Sequence, residues 1–319
     1  MTRPQTKTRL VAAMTARKRL AVTCLKESAS DYGNASFPDA GTATDDDFAV
    51  KLSSVLKDQR AIASLEEQGR LIDHLFRALR QRKAVAHLWS KNRKSDDIIG
   101  LIQVARDAGD LDEAIWRCFL AAHFGRASAD ADQVHSASDL LCAFRAEPYW
   151  TWQRVSDAPD FFRNWLADHA ADLHSLAYGN HRKYESKWPG DIWAVVESFL
   201  TLAQESGGPA KLMTSDEGDG AAQFDVLYRS LSGLRRFGRT GRFDFLALMF
   251  DLRLISADPA SCYLRGATGP LKGAKRLWGK RPIGQLEQLA ADLAEQLGIS
   301  PMAVEDALCN WQKGGSGPA

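Results

Sequence analysis

Residues 231–246 bring four arginines and three glycines together between two apolar runs. The order Phe237-Gly-Arg-Thr-Gly241 predicts a tight turn that opens a helix, whose first N–H groups have no partner within the helix. Such a helix start favours anions, because its N–H groups and its dipole both attract negative charge. The residues predicted to bind DNA phosphate are Arg236, Gly238, Arg239, Thr240, Gly241 and Arg242.

Positive charge is concentrated around this turn. Residues 231–281 contain 11 Lys and Arg against 3 Asp and Glu, a local net charge of +8, whereas the whole chain carries +1. A localised basic patch is typical of a surface that binds a polyanion, and the neutral total argues against a histone-like polycation. The alternative is a plain hairpin between two helices with solvated arginines.

A second polar cluster, Tyr178-Gly-Asn-His-Arg-Lys-Tyr-Glu-Ser186, separates two apolar helical patterns. Its amide and rings suit hydrogen bonding and stacking with a nucleobase, and Arg182 and Lys183 suit phosphate. The residues predicted to bind the base are Tyr178, Asn180, His181, Lys183, Tyr184 and Glu185. The alternative is a solvated loop between helices.

The helical period dominates the chain and alternating strand patterns are hard to find, which predicts an all-α fold. We expect an irregular N-terminal arm over 1–60, a helical catalytic region over 61–313 and a disordered tail over 314–319. The hairpin is predicted near 227–254. Helices are predicted over 62–89, from Ser95, from Asp110 to Gly125, and over 157–165, 193–203, 222–236, 242–254, 284–297 and 302–312.

Length and composition set the protein class. A chain of 319 residues can bury a substantial core, and no apolar run approaches the length that spans a bilayer. Met1-Thr-Arg-Pro4 begins no signal-peptide apolar segment, so a cytoplasmic location is expected. The five cysteines are scattered singly, which predicts buried free thiols and no zinc or iron–sulfur site.

Four segments carry a resemblance to a known family: residues 178–186, 237–246, 263–271 and 305–313. In this order they resemble the α-glutamyl/putrescinyl thymine pyrophosphorylase family, its third clade, over roughly residues 110–313. The family's name records an inferred role in the hypermodified-thymine pathways of phages. Its fold is similar to that of the helix-hairpin-helix DNA glycosylases, and cellular members resemble anti-phage glycosylases that excise bulky modified bases.

The resemblance to glycosylases implies a catalytic aspartate at a helix cap after the hairpin. Asp258 lies eighteen residues after Thr240, and Asp258-Pro259 has the form of a helix N-cap followed by proline. Asp244, one turn past Gly241, is the rival carboxylate, and a cap without further function is the alternative for Asp258. A carboxylate here would stabilise an oxocarbenium ion or activate water.

The hairpin also departs from the glycosylase pattern. Arg236 lies where the first hairpin glycine usually lies, and Thr240 lies where bifunctional glycosylases carry a Schiff-base lysine. The resemblance therefore implies a monofunctional enzyme that uses water.

The expected function is a cofactor-free DNA glycosylase in anti-phage defence. It would flip out a bulky modified base, such as glucosylated hydroxymethylcytosine, and leave an abasic site in double-stranded DNA. No membrane and no obligatory protein partner are expected. The first alternative is a pyrophosphorylase or transferase acting on phosphorylated hydroxymethyl-pyrimidines, which needs cations around a leaving pyrophosphate. The second is a non-enzymatic DNA-binding module.

Overall fold

The computed structural model describes residues 98–125, 135–145, 148–179, 182, 184–215 and 220–314, and residues 67, 70–75 and 77–79 of an N-terminal helical segment. Every regular element in these ranges is helical, so the all-α prediction is confirmed. The predicted arm over 1–60 and residues 315–319 of the predicted tail lie outside them.

Thirteen α-helices are numbered here in chain order within the described ranges. They are α1 (Ile98–Asp107), α2 (Leu111–Phe124), α3 (His135–Leu141), α4 (Trp152–Asp157), α5 (Pro159–Asp168), α6 (Ala170–Ser175), α7 (Pro189–Ser206), α8 (Pro209–Leu212), α9 (Gly220–Ser230), α10 (Arg239–Asp251), α11 (Gly269–Trp278), α12 (Ile283–Leu297) and α13 (Pro301–Trp311). Short 3₁₀ turns occupy Ala143–Arg145 and Leu231–Gly233.

Local capping chemistry sets several helix ends as predicted. Asp110 accepts a hydrogen bond from the backbone N–H of Glu113 at 3.1 Å, and Gly125 ends α2 with a φ of +77°. Gly125 tolerates this conformation because it lacks a Cβ. Ser300 accepts a hydrogen bond from the N–H of Met302 at 3.2 Å and caps α13. These ends are encoded by residues within a few positions of them.

The buried side chains form two hydrophobic cores. The larger core is supplied mainly by helices α1 to α10, and Phe119 of α2 stacks on Phe199 of α7 with 4.2 Å between ring centroids. The smaller core is supplied by α11, α12, α13 and the N-terminal helical segment, around Leu308 and Trp311. Helix α10 belongs to the larger core, and its first turn faces the smaller one through Arg239, which bonds to Glu305 of α13.

Several sequence expectations about local structure are wrong, and the helix predicted over 222–236 ends at Ser230. No helix follows Asp258-Pro259, because residues 255–264 contain no helical turn, so Asp258 is not an N-cap. Helix α11 was not predicted, because its glycines disfavour a helix by propensity alone. Gly273 is needed there, since a Cβ at this position would collide with the carbonyl oxygen of Leu308. Close packing of α11 on α13 therefore decides this helix.

None of the helices in the described ranges combines the length and apolar character needed to cross a membrane.

Candidate functional site

The predicted turn between two helices is present. Helix α9 ends at Ser230, a 3₁₀ turn follows, and α10 begins at Arg239 with Gly238 as its N-cap. Gly238 has no side chain to cap the helix and is exposed, while Thr240 is half-buried. Arg236 adopts a φ of +62°, in the left-handed region that favours glycine. The exposed and uncapped Gly238 therefore keeps the chemistry that suits an anion at the start of α10, whereas Gly241 in the same turn is buried.

The four arginines of the turn divide into two kinds. The Arg236 side chain is 55% exposed and Arg235 is exposed. Arg242 lies over the ring of Tyr228, 4.2 Å from its centroid, and donates to the Tyr228 carbonyl at 3.2 Å. Only Arg235 and Arg236 present guanidinium groups openly to solvent.

Arg239 is buried, with a side chain 7% exposed. Its Nη1 donates to the Glu305 carboxylate at 2.6 Å, its Nε to the carbonyl of Tyr263 at 2.7 Å, and its Nη2 to the carbonyl of Cys262 at 2.5 Å. The predicted phosphate contact is therefore not supported for Arg239, because the guanidinium is already occupied in joining the two cores.

Arg182 is the centre of a buried network that joins the 178–186 segment to the turn. It is 5% exposed, and its guanidinium carbon lies 4.6 Å from the ring centroid of Phe237. Its Nε donates to the His123 carbonyl at 3.0 Å, and its Nη1 donates to the Arg236 carbonyl at 2.8 Å. The guanidinium donors of Arg182 thus bond within the protein interior, and its predicted phosphate contact stays a prediction.

A directed chain of hydrogen bonds continues from Arg182 through His123. Burial, followed by the charge of Arg182, lowers the pKa of His123 to about 3, so the ring is neutral. Its Nδ1 accepts from Arg182 Nη2 at 3.2 Å, which leaves the proton on Nε2. Nε2 lies 3.3 Å from the Tyr178 hydroxyl, which itself donates to the Ser186 carbonyl at 2.9 Å. The Tyr178 hydroxyl thereby connects the two ends of the 178–186 segment to each other and to His123.

The residues predicted to bind a base occupy different environments. Tyr178 is buried and stacks on Phe124 with 5.0 Å between centroids, so it supports the segment from inside the core. Tyr184 is 86% exposed. Glu185 lies 3.4 Å from Arg182 Nη1 and 3.8 Å from Arg236 Nε. Asn180, His181 and Lys183 lie outside the described residues, and their predicted roles stay predictions.

The two candidate carboxylates lie in different surroundings. Asp244 is exposed on α10, and electrostatic interactions link it to Arg182 and to Glu305. Asp258 is half-buried and its Oδ1 accepts a hydrogen bond from the Ser300 hydroxyl at 2.6 Å. Asp258 thus contacts the residue that caps α13, whereas Asp244 belongs to the group of charges around the turn.

A comparison with protein-family models identifies the chain. Residues 67–316 match the family described as alpha-glutamyl/putrescinyl thymine pyrophosphorylase clade 3. The chain belongs to this family. The match includes the turn, the 178–186 segment and the other two segments on which the resemblance rests. No curated protein and no solved structure matches the chain. The relationship of this pyrophosphorylase family member to helix-hairpin-helix glycosylases stays a prediction.

Glu305 is a residue that sequence reasoning did not select. Its side chain is 13% exposed, and burial raises its pKa to about 7, with Arg239 opposing the shift and Asp244 adding to it. A carboxyl group that titrates near neutrality and contacts the first residue of α10 is suited to proton transfer. The available signal was its position at the head of the 305–313 segment shared with the pyrophosphorylase family.

Four buried cysteines, Cys118, Cys142, Cys262 and Cys309, are free thiols, as predicted, whereas Cys24 lies outside the described residues. Burial raises the pKa of the Cys262 thiol well above its ordinary value. No group of three His, Cys, Asp or Glu side chains that could hold a metal occurs among the described residues.

Proposed function

We propose that this pyrophosphorylase family member is an enzyme that acts on a phosphorylated hydroxymethyl-pyrimidine in DNA. The observation that carries the proposal is the uncapped start of α10 at the exposed Gly238. Gly238 leaves the first N–H groups of the helix without a side-chain cap, and the exposed guanidinium of Arg236 lies in the same turn. Backbone N–H groups and a guanidinium are the partners that a leaving pyrophosphate needs.

The proposed reaction is substitution at the exocyclic methylene carbon of the base. An amine of the glutamate or putrescine class forms the new C–N bond, and the C–O bond to pyrophosphate breaks with its electron pair leaving on the phosphate oxygen. The proton lost by the amine passes to a carboxylate. Glu305 or Asp244 would accept it, since these two groups lie among the charges around α10. No metal or organic cofactor is part of this proposal.

A second candidate is the glycosylase for bulky modified bases. Asp244, one turn past Gly241 on α10, favours it, because an exposed carboxylate near a phosphate site suits a developing sugar cation. Asp258 is the weaker candidate for this role, since its carboxylate accepts the Ser300 hydroxyl. Thr240 supplies no amine for a Schiff base, so the glycosylase would be monofunctional and would leave an abasic site.

The products separate the candidates. Duplex DNA that carries a pyrophosphorylated hydroxymethyluracil is incubated with the protein, with and without putrescine, and pyrophosphate release is measured. A second duplex carries glucosylated hydroxymethylcytosine and is tested for strand scission by alkali. Pyrophosphate release supports the substitution, and alkali-labile sites support the glycosylase. DNA binding without either product would instead support a non-enzymatic DNA-binding module.

Paired carboxylate variants locate the chemistry in the same assays. We expect Asp244→Asn to lower the rate by on the order of 10²-fold. Asp258→Asn is the matched control, because asparagine still accepts a hydrogen bond from Ser300, and it should retain activity. An inactive Asp258→Asn protein that folds normally, beside an active Asp244→Asn protein, would reverse the assignment.

A further inference from the structure

Tyr184 and Trp188 are the most exposed aromatic side chains among the described residues, at 86% and 65%. They lie four positions apart, between the buried Arg182 and the first turn of α7. A single exposed ring is ordinary, but two large rings on one short segment beside a basic turn indicate a binding surface.

Ion pairs and hydrogen bonds hold the backbone of the segment that carries the two rings. Glu185, next to Tyr184, is held between Arg182 and Arg236. The Ser186 carbonyl accepts the Tyr178 hydroxyl, and the Ser186 hydroxyl accepts the N–H of Trp188 at 3.2 Å. The Trp188 ring meets His174 edge-on with 5.2 Å between centroids. Binding to these rings therefore requires little additional ordering of the chain.

The charges next to the rings favour a nucleic acid over an apolar protein surface. Arg235 and Arg236 are exposed on the adjoining turn, and Glu185 joins that turn to the ring-bearing segment at 3.8 Å from Arg236. Aromatic rings interleaved with arginines are the elements that bind unpaired nucleotides, since rings stack on bases and guanidinium groups neutralise phosphates. A closed duplex offers phosphates but no base faces.

We propose that Tyr184 and Trp188 stack on unpaired bases of the DNA strand that carries the modified base, while Arg235 and Arg236 contact phosphates of that strand. This inference rests on the proposed function and makes it more specific. The DNA that the protein recognises is locally opened at or beside its target, and the two rings hold it open.

The test compares three unmodified DNA probes of one sequence: a single strand, a closed duplex, and a duplex with a three-base bubble. The chain of 319 residues is titrated into each probe, and binding is followed by fluorescence anisotropy. We expect the wild type to prefer the bubble and the single strand. Tyr184→Ala and Trp188→Ala should each weaken binding to these two probes by about tenfold and change duplex binding little. Tyr184→Phe keeps the ring and should bind as the wild type does.

Phe161→Ala is the matched control, because Phe161 is a 57% exposed ring on α5 that packs on Trp150 with 5.6 Å between ring centroids, and its loss should change none of the affinities. Circular dichroism establishes that each variant is folded. We expect normal folding, because both rings are exposed and contribute little to the core. Quenching of tryptophan fluorescence by the single strand should be reduced in Trp188→Ala.

The outcomes separate this inference from the proposed function. If both alanine variants bind the bubble as tightly as the wild type, the stacking role is overturned while the reaction on modified DNA stands. If the wild type binds none of the probes at low salt and has no activity on modified DNA, the proposed function falls. If the variants instead abolish a dimer seen by sedimentation and bind DNA normally, the rings form an interface between copies, and the stacking role is again overturned.

Discussion

Replacing Glu305 with glutamine should reveal an acid sensitivity that the wild-type protein conceals. The pKa of His123 is about 3 in the folded protein, against 6.5 for an ordinary histidine. Below pH 6.5 the unfolded chain therefore binds a proton that the folded protein does not. The contribution of His123 to the free energy of unfolding therefore falls as the pH falls from 6.5 towards 3, by about 1.4 kcal/mol per pH unit.

Glu305 acts in the opposite direction. Its pKa is about 7 in the folded protein, against 4.5 for an ordinary glutamate. Between pH 7 and 4.5 the folded protein holds a proton that the unfolded chain releases, so its contribution to stability grows as the pH falls, again by about 1.4 kcal/mol per pH unit. Between pH 6.5 and 4.5 the contributions of His123 and Glu305 cancel in the wild type.

The magnitude follows from the window that the two groups share. In Glu305→Gln the His123 contribution is unopposed, and the free energy of unfolding should fall by about 2.7 kcal/mol, relative to the wild type, from pH 6.5 to 4.5. In His123→Gln the opposite trend is expected, with a relative rise of similar size. Since both sites are buried, neither change should depend strongly on salt.

The assay is urea unfolding followed by circular dichroism at half-unit steps from pH 4.5 to 6.5, at constant ionic strength. Glu295→Gln on α12 is the control, because Glu295 is exposed and its loss should leave the curve parallel to that of the wild type. A Glu305→Gln curve parallel to the wild type would refute the reasoning, because Glu305 would then not change its protonation in this range.

Two further pairs of variants test the placement of arginines and glycines. Arg236→Gln should lower the slope of log affinity for DNA against log salt by about 0.9, the value of one phosphate contact. Arg239→Gln should leave that slope unchanged and destabilise the fold by about 1–3 kcal/mol, because the carbonyls of Tyr263 and Cys262 lose their donor. Equal slopes for the two variants would contradict the division between exposed and buried arginines. Gly273→Ala should destabilise the protein by about 1–3 kcal/mol in thermal unfolding, because its Cβ meets backbone, while Gly284→Ala in α12, with open space around its Cβ position, should stabilise it by about 0.4–1 kcal/mol.

The sequence determined those features that neighbouring residues encode. The sequence predicted four helix ends. They are the cap of α2 at Asp110, the end of α2 at Gly125, the cap of α13 at Ser300 and the start of a helix at the glycine turn. Each depends on hydrogen bonds or backbone dihedrals within a few residues, so the local pattern is sufficient. The helical period likewise predicted the fold class.

The tertiary structure alone decided which polar side chains face the solvent. Arg239 and Arg236 lie three residues apart in one basic turn, yet Arg239 is buried against Glu305, 66 positions away, and Arg236 is exposed. Asp258 meets Ser300 across 42 positions, and Arg182 meets His123 across 59. A one-dimensional pattern records the type of a side chain and not its distant partner. The division of these charges between structural and surface roles arises only when the two cores pack together.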